Sequence, residues 1–304
     1  MALSHLSGIP LLLFVNRTFI FKRSKDKKIM AVTMADISHL RKMSGAGMMD
    51  CKKALEEAGG DFDKAMEIIR KKGQAVAAKR SDREASEGCV LAQENGEFAA
   101  IVALKCETDF VAKNKDFVAL TQDILNAALA SKPASKEALL ATALADGRTI
   151  QEHITDRIGV TGEKMELGAY EFINGASTIS YIHPGNKLAT IVAFNQADVE
   201  HQMARDVAMQ VAAMNPISVR PDEVPQHIID QELEIAKDKA RQAGKPENLL
   251  DRIAQGSLQK YYKENTLLQQ EFIKDAKMSI EQYLHTANKE LTVVSFKRIT
   301  LNVD

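Results

Sequence analysis

Residues 98–113 read FAAIVALKCETDFVAK and lead from an apolar run into a polar turn. The run 98–104 predicts a buried strand, and a helical pattern begins soon after the turn, near Asp116. Asp109 and Phe110 would therefore lie on the turn that leaves the strand, and such turns lie at the surface and carry function. A phenylalanine there is either tucked back into the core, which its residue type alone favours, or presented to a pocket on another protein. This stretch by itself leaves both interpretations open.

The composition excludes several classes of protein. The 304 residues carry 40 basic and 41 acidic side chains, a formal net charge of -1, which argues against a protein that mainly wraps nucleic acid. There is no tryptophan and only 5% of residues are aromatic, so a base-stacking or sugar site is not expected. The 3 cysteines have no metal-ligand spacing and indicate reduced thiols, so we expect a cytoplasmic protein.

Residues 1–29 differ in character from the rest of the chain, and we expect them to be an extension outside the fold. They hold a short apolar run, 9–15, and then a basic stretch. The run is too short to span a bilayer, and a secretory signal would place the basic residues before it. The alternatives are a basic transit peptide and an upstream start codon with the chain proper beginning at Met30, which we prefer. No membrane association is expected.

Residues 30–73 predict a module of three short helices. Asp36 and Asp61 are placed to cap the first and third helices, and glycines separate all three. Because about forty residues make only a marginal core, the module should be docked on a larger body. Met48 and Met49 stand side by side at the start of the second helix, so one must face outward. Residues 74–87 predict a partly helical linker.

Residues 88–220 predict two similar halves of a core. In the first half, 88–167, a hairpin precedes a helix at 117–130, and two more helices lie between 135 and 158. In the second half, 168–220, strands at 169–173, 178–182 and 188–194 precede a helix at 199–214. This order suggests a duplicated strand–strand–helix unit. A helix covering one face of an antiparallel sheet in each half gives an α+β fold.

Residues 221–265 predict an antiparallel helical hairpin that turns at Gly244-Lys245-Pro246. The hairpin would either pack on its own body or protrude from it. Residues 266–304 return to the core with a helix at 277–288 and a final strand at 291–301. The predicted apolar stripes of the two arms are Ile229, Leu233, Ala236 and Ala240, and Leu250, Ile253, Ser257 and Tyr261.

The run 45–55, GAGMMDCKKAL, together with Met34-Ala35-Asp36-Ile37 and Leu40-Arg41-Lys42-Met43-Ser44 before it, closely resembles the N-terminal module of bacterial elongation factor Ts. The run Thr108-Asp109-Phe110-Val111 is similar to the second signature of that family. The resemblance covers residues 30–304. Some members of the family carry a further C-terminal helical module that this sequence lacks, so we expect the partner contact of that module to be missing. It implies a ubiquitin-associated-like N-terminal module and a protruding helical arm that serves dimerisation.

The resemblance also implies a function and its residues. Members of this family are guanine-nucleotide exchange factors of elongation factor Tu, and they need no cofactor of their own. The resemblance implies that Thr108, Asp109, Phe110 and Val111 displace the magnesium ion of that partner. It assigns Arg41, Met48 and Met49 to the grip on the GTPase domain, and it suggests a contact for His183, whose surroundings in the sequence offer no metal partner.

No catalytic set is evident in the sequence, so we expect that the protein is not an enzyme and that it binds no nucleotide or metal itself. Two alternatives stay open. An enzyme could use Cys106 or Cys51 as its nucleophile, which requires a nearby base and a lowered thiol pKa. A ubiquitin-like-binding adaptor would rest on the N-terminal module alone.

Overall fold

A computed structural model describes residues 32–302, so the predicted extension at 1–29 lies outside the described residues. The described chain begins with a three-helix module whose core includes Leu40, Cys51 and Leu55. Its helices are α1 (Met34–Ser44), α2 (Met48–Glu57) and α3 (Phe62–Arg80).

The start of α1 differs from the prediction. Thr33, not Asp36, is the N-cap, because its hydroxyl accepts the Asp36 N–H at 3.2 Å. The Asp36 carboxylate accepts the Thr33 N–H in return, at 2.9 Å, which makes a capping box. Asp61 caps α3 as predicted, accepting the Lys64 N–H at 3.1 Å.

Helix α3 does not end near Gly73 but continues to Arg80, and so it occupies much of the predicted linker. Gly73 is buried where α3 packs on α7 (Ile150–Thr161). A Cβ built on Gly159 would lie 2.6 Å from the Gly73 Cα, so the two helices meet backbone to backbone. Glycine here permits close packing rather than ending a helix, and the crossing attaches the N-terminal module to the body.

The first half of the core is an antiparallel sheet of 3 strands in the order β1-β2-β3. Asn95 lies opposite Phe98, so β1 and β2 form the predicted hairpin. Helices α5 and α7 cover the sheet and bury Phe117, Ile124 and Ile154 against it. The elements are β1 (Glu87–Asn95), β2 (Phe98–Cys106), α4 (Asp109–Ala112), α5 (Lys115–Ser131), α6 (Lys136–Leu140) and β3 (Met165–Asn174).

The second half is a 3-stranded antiparallel sheet in the order β4-β5-β8, covered by α8. Alternate residues of β2 and β5 face opposite sides. Leu104 and Phe194 face their helices, whereas Ala103 and Ala193 lie in the apolar cluster between the sheets. The resulting layers confirm the α+β fold. The second-half elements are β4 (Ser177–Ile182), β5 (Leu188–Phe194), α8 (His201–Met214) and β8 (Val293–Thr300).

The strand at 169–173 is predicted in the wrong half of the core. It belongs to β3 and pairs with β2 in the first sheet, not with β4. A connection as short as that between β3 and β4 usually joins the strands of a hairpin. Here the chain crosses between sheets at Gly175, where an added Cβ would lie 2.8 Å from the Cβ of Ala193. By strand pairing the halves therefore divide between β3 and β4 rather than at 168, and the repeated unit is a hairpin, a helix and a later third strand.

A helical hairpin of α9 (Gln226–Gln242) and α10 (Glu247–Asn265) is inserted before β8. Ion pairs between Lys237 and Asp251 (3.0 Å) and between Arg241 and Glu247 (3.4 Å) show that its arms are antiparallel. The seam differs from the predicted stripes, because Ser257 is exposed and the residues buried along α10 recur at every fourth position. The buried side chains of the hairpin are Ala236, Ala240, Leu250, Ala254 and Leu258.

The chain returns to the second half through β6 (Glu271–Phe272), β7 (Asp275–Ser279) and α11 (Ile280–His285). The predicted helix at 277–288 is therefore too long, since a strand occupies its start and Ser279 caps α11. The predicted final strand is β8. Among residues 32–302, none of the helices combines the length and apolar character needed to cross a bilayer.

Candidate functional site

Phe110 lies on α4, a helix of 4 residues, where the sequence predicts only a turn. Thr108 is the N-cap, and its hydroxyl accepts the Val111 N–H at 3.4 Å. So short a helix is not stable alone, because the cost of nucleating the first turn exceeds what its few hydrogen bonds return. Contacts from the rest of the protein must hold α4 in place.

Helix α4 presents its aromatic ring to solvent. Phe110 is 85% exposed, whereas the next most exposed large apolar side chains of the described chain, Met34 and Met49, reach 63%. Val111 and Ala112 turn the other way and pack on the core of the first half. The interpretation that Phe110 is tucked into its own core is therefore wrong, and a phenylalanine this exposed is a candidate contact for another molecule.

Asp109 supplies a negative charge beside the ring. Its carboxylate accepts a hydrogen bond from the Lys113 ammonium group at 2.7 Å, one turn along. This bond lowers the pKa of Asp109 below its ordinary value, so the carboxylate is ionised at neutral pH. The Lys113 side chain is 76% exposed and that of Asp109 is 42% exposed, and ion pairs at the surface contribute little to stability. Asp109 is thus free to exchange Lys113 for another partner.

The two residues that precede α4, Glu107 and Thr108, are bonded to other parts of the fold. Glu163, on the turn after α7, accepts the Thr108 N–H at 3.1 Å and the Thr108 hydroxyl at 2.7 Å. Glu107 accepts the Lys164 N–H at 2.6 Å and lies 3.2 Å from a guanidinium nitrogen of Arg80, the last residue of α3. Sequence reasoning does not find Glu163, since it lies 55 positions from Thr108 and no local pattern connects them.

The N-terminal module exposes three more of the predicted site residues, Arg41, Met48 and Met49. Met48 and Met49, at the start of α2, are 39% and 63% exposed, so both face outward rather than one of them. Arg41, in the last turn of α1, is exposed. Met34 and Met43 of α1 are also exposed, and such flexible apolar side chains suit a protein–protein contact. These residues are connected to α4 through α3, whose end meets Glu107.

His183 lies apart from the other site residues, after β4 in the second half of the core. Its ring is exposed, with Nδ1 at 3.1 Å from the Tyr181 hydroxyl. Tyr181, His183, Met209 and Ile273 line a cavity of about 300 Å³. Within the described range, no group of His, Cys, Asp and Glu side chains is arranged to hold a metal ion.

The three cysteines are free thiols and all are buried. Cys106 is fully buried and its thiol donates to the carbonyl of Thr108 at 3.2 Å. Burial, reinforced by the charge of Glu163, raises the pKa of Cys106 to about 12, so the thiol is protonated at neutral pH. Because the thiolate is the reactive form, this environment argues against Cys106 as a nucleophile. Cys51 is also fully buried, in the core of the N-terminal module.

Comparison with known proteins gives a consistent result. A family model described as "Elongation factor TS" matches residues 107–302. A protein of Porphyromonas gingivalis strain ATCC 33277, called elongation factor Ts, is 77% identical over 275 residues, which cover 90% of this chain and 100% of the relative. Relatives of the same name from Azobacteroides pseudotrichonymphae and Bacteroides fragilis strain YCH46 are 57% identical over 275 residues and 48% over 332, with the same two coverages.

Proposed function

This chain belongs to the elongation factor Ts family of translation elongation factors, and from that premise we propose that it binds elongation factor Tu carrying GDP and promotes release of the GDP. GTP then occupies the emptied site. In this proposal the chain is no enzyme and uses no cofactor. It acts by changing the affinity of another protein for its nucleotide, in the cytoplasm.

The exposed ring of Phe110 is the observation that best supports this proposal. A GTPase holds its nucleotide through a phosphate cradle and a magnesium ion that bridges the phosphates. Displacing the ion removes a large local charge and weakens the hold on the diphosphate. A ring inserted into the packed layer behind the metal site would displace it, since packed layers shift between discrete arrangements rather than deform gradually.

The energy available from the ring is of the right size. Burying a phenylalanine side chain contributes roughly 1.5–3 kcal/mol. A typical coupling between two binding sites is about 1–3 kcal/mol. Insertion of Phe110 could therefore provide most of the coupling between binding of the exchange factor and loss of GDP. The coupling is reciprocal, because tightly bound GDP must weaken the hold of the exchange factor to the same degree.

We assign different tasks within residues 108–111. Phe110 and Asp109 face solvent and would contact the partner, with Asp109 bringing its charge to the displaced region. Thr108 and Val111 are turned inward, one bonded to Glu163 and the other packed on the core, and would support α4.

The remaining predicted residues would bind the partner without displacing the ion. Arg41, Met48 and Met49 would grip its GTPase domain, and His183 would make a separate contact from the second half. The hairpin of α9 and α10 is proposed as a self-association arm, since Ile229 and Leu233 are only partly covered in the single chain. Sedimentation of the full chain tests that arm.

The test of the main proposal is GDP release from purified elongation factor Tu loaded with a fluorescent GDP analogue. Adding the full chain should accelerate release, and an unchanged rate would reject the function. If the chain acts by displacing magnesium, prior chelation of the ion should raise the basal rate and leave the chain little to add. An equal fold-acceleration with and without magnesium would reject the displacement step and leave the binding function standing.

A further inference from the structure

We propose that Glu163 is a positioning residue for nucleotide release, and that its carboxylate fixes the direction in which Phe110 leaves the protein surface. This inference rests on the proposed function. Glu163 itself does not need to touch the partner. It acts through Thr108, the residue that starts α4.

The bonds from Glu163 define both the place and the rotation of Thr108. One carboxylate oxygen accepts the backbone N–H of Thr108 at 3.1 Å, and the other accepts its hydroxyl at 2.7 Å. A pair of bonds to two oxygens of one charged group is geometrically specific, where a single bond would allow rotation. Because Thr108 is the N-cap, fixing it sets the axis of α4 and hence the direction of Phe110.

Glu163 is itself held at a defined position. Gly162 ends α7 in the left-handed conformation at φ 74°, and the Glu163 N–H donates to the Thr161 hydroxyl at 3.2 Å. The next residue, Lys164, donates its N–H to Glu107 at 2.6 Å. Two neighbours on one turn therefore bond to two neighbours before α4, and this clasp leaves the start of α4 little freedom to tilt.

The expected effect depends on the fraction of molecules that hold the ring in the productive direction. When only part of a population is competent, the observed effect falls by that fraction. Glu163→Ala removes both bonds and should lower the maximal rate of GDP release about tenfold. Glu163→Gln keeps one acceptor oxygen and should lower it only about threefold. The half-saturating concentration should change less, because Arg41 and the methionines still bind.

The chain offers a matched control in Glu152. It accepts the Thr149 N–H at 2.8 Å and the Thr149 hydroxyl at 2.9 Å, at the start of α7. Glu152→Ala thus removes the same two kinds of bond at another helix N-cap. We expect it to leave the maximal rate of GDP release within about twofold of the unmodified chain, as do most surface substitutions away from a site.

The deciding experiment is a double-mutant cycle on the full chain, measured as maximal GDP release from elongation factor Tu with circular dichroism to confirm folding. If Glu163 acts through the ring, Glu163→Ala should lower the rate in the unmodified chain and change it less than about twofold in Phe110→Ala. Losses that multiply would overturn the proposal, as would an unchanged rate in folded Glu163→Ala. If that variant does not fold, Glu163→Gln decides by the same criteria. Absence of any acceleration by the unmodified chain would instead reject the proposed function.

Discussion

Replacing Phe110 with alanine removes the proposed displacing group while leaving the protein folded. The ring is 85% exposed, so its loss should change the free energy of unfolding by less than about 0.5 kcal/mol. In the complex the ring would be buried, and truncation forfeits roughly 1.5–3 kcal/mol. Since about 1.4 kcal/mol is a factor of ten, GDP release at a fixed, subsaturating concentration should slow by roughly 10- to 150-fold.

The assay is stopped-flow release of a fluorescent GDP analogue from elongation factor Tu, with urea unfolding of each variant alongside. Val294→Ala, which truncates another exposed apolar side chain on β8, is the control and should release GDP normally. Phe110→Leu should be intermediate, since it keeps part of the apolar volume. A folded Phe110→Ala chain that releases GDP as fast as the unmodified chain would refute the reasoning.

Three further predictions concern the N-terminal module, the helix crossing and the thiols. Arg41→Ala should shorten the lifetime of the complex with elongation factor Tu in surface plasmon resonance, and an unaltered lifetime would remove Arg41 from the contact. Gly159→Ala places a methyl group 2.6 Å from the Gly73 Cα and should destabilise the chain by about 1–3 kcal/mol in urea. Gly256→Ala, with open space around its Cβ, should instead be neutral or stabilising, and equal behaviour of the two would show that the crossing opens freely. The three cysteines are all buried, and burial raises the pKa of Cys106 to about 12. A thiol reagent at pH 8 should therefore label the folded chain slowly and the unfolded chain at once. Rapid labelling of the folded protein would show that the thiols are accessible.

Local patterns predict the elements of this fold well, because period and capping chemistry are properties of neighbouring residues. The hairpin around Asn95 and the cap at Asp61 are examples. Strand pairing is a different matter. Residues 169–173 have a pattern that suits a strand in either sheet, and they pair with β2 rather than β4, a long-range choice that no local pattern contains.

Gly73 shows the same limit for helices. A glycine near the end of an apolar pattern usually marks a helix end. Here Gly73 lies within α3, and its missing side chain lets α3 approach Gly159 of α7. A glycine that ends a helix and a glycine at a close helix–helix crossing differ in which residue packs against them. At Gly73 that residue is Gly159, which is distant in the sequence.

The candidate site divides in a similar way. Residue type alone favours a buried Phe110, and the family resemblance reverses that expectation before any contact is known. Val111 and Ala112 pack on the core while Phe110 stays exposed, and Thr108 bonds to Glu163 across the fold. These contacts reach across the fold, so the sequence could indicate the motif but not what holds it.

The two proposed contact regions are joined by one continuous helix, and this bears on how the protein would act. Helix α3 has 19 residues and is about 28 Å long, it starts in the N-terminal module, and its last residue, Arg80, meets Glu107 beside α4. At Gly73 it packs closely against Gly159 of α7, which attaches it to the body. If the N-terminal module binds the partner as proposed, insertion of Phe110 would become an intramolecular step. In the proposed function, binding energy gained at Arg41, Met48 and Met49 would then help to offset the cost of displacing the ion.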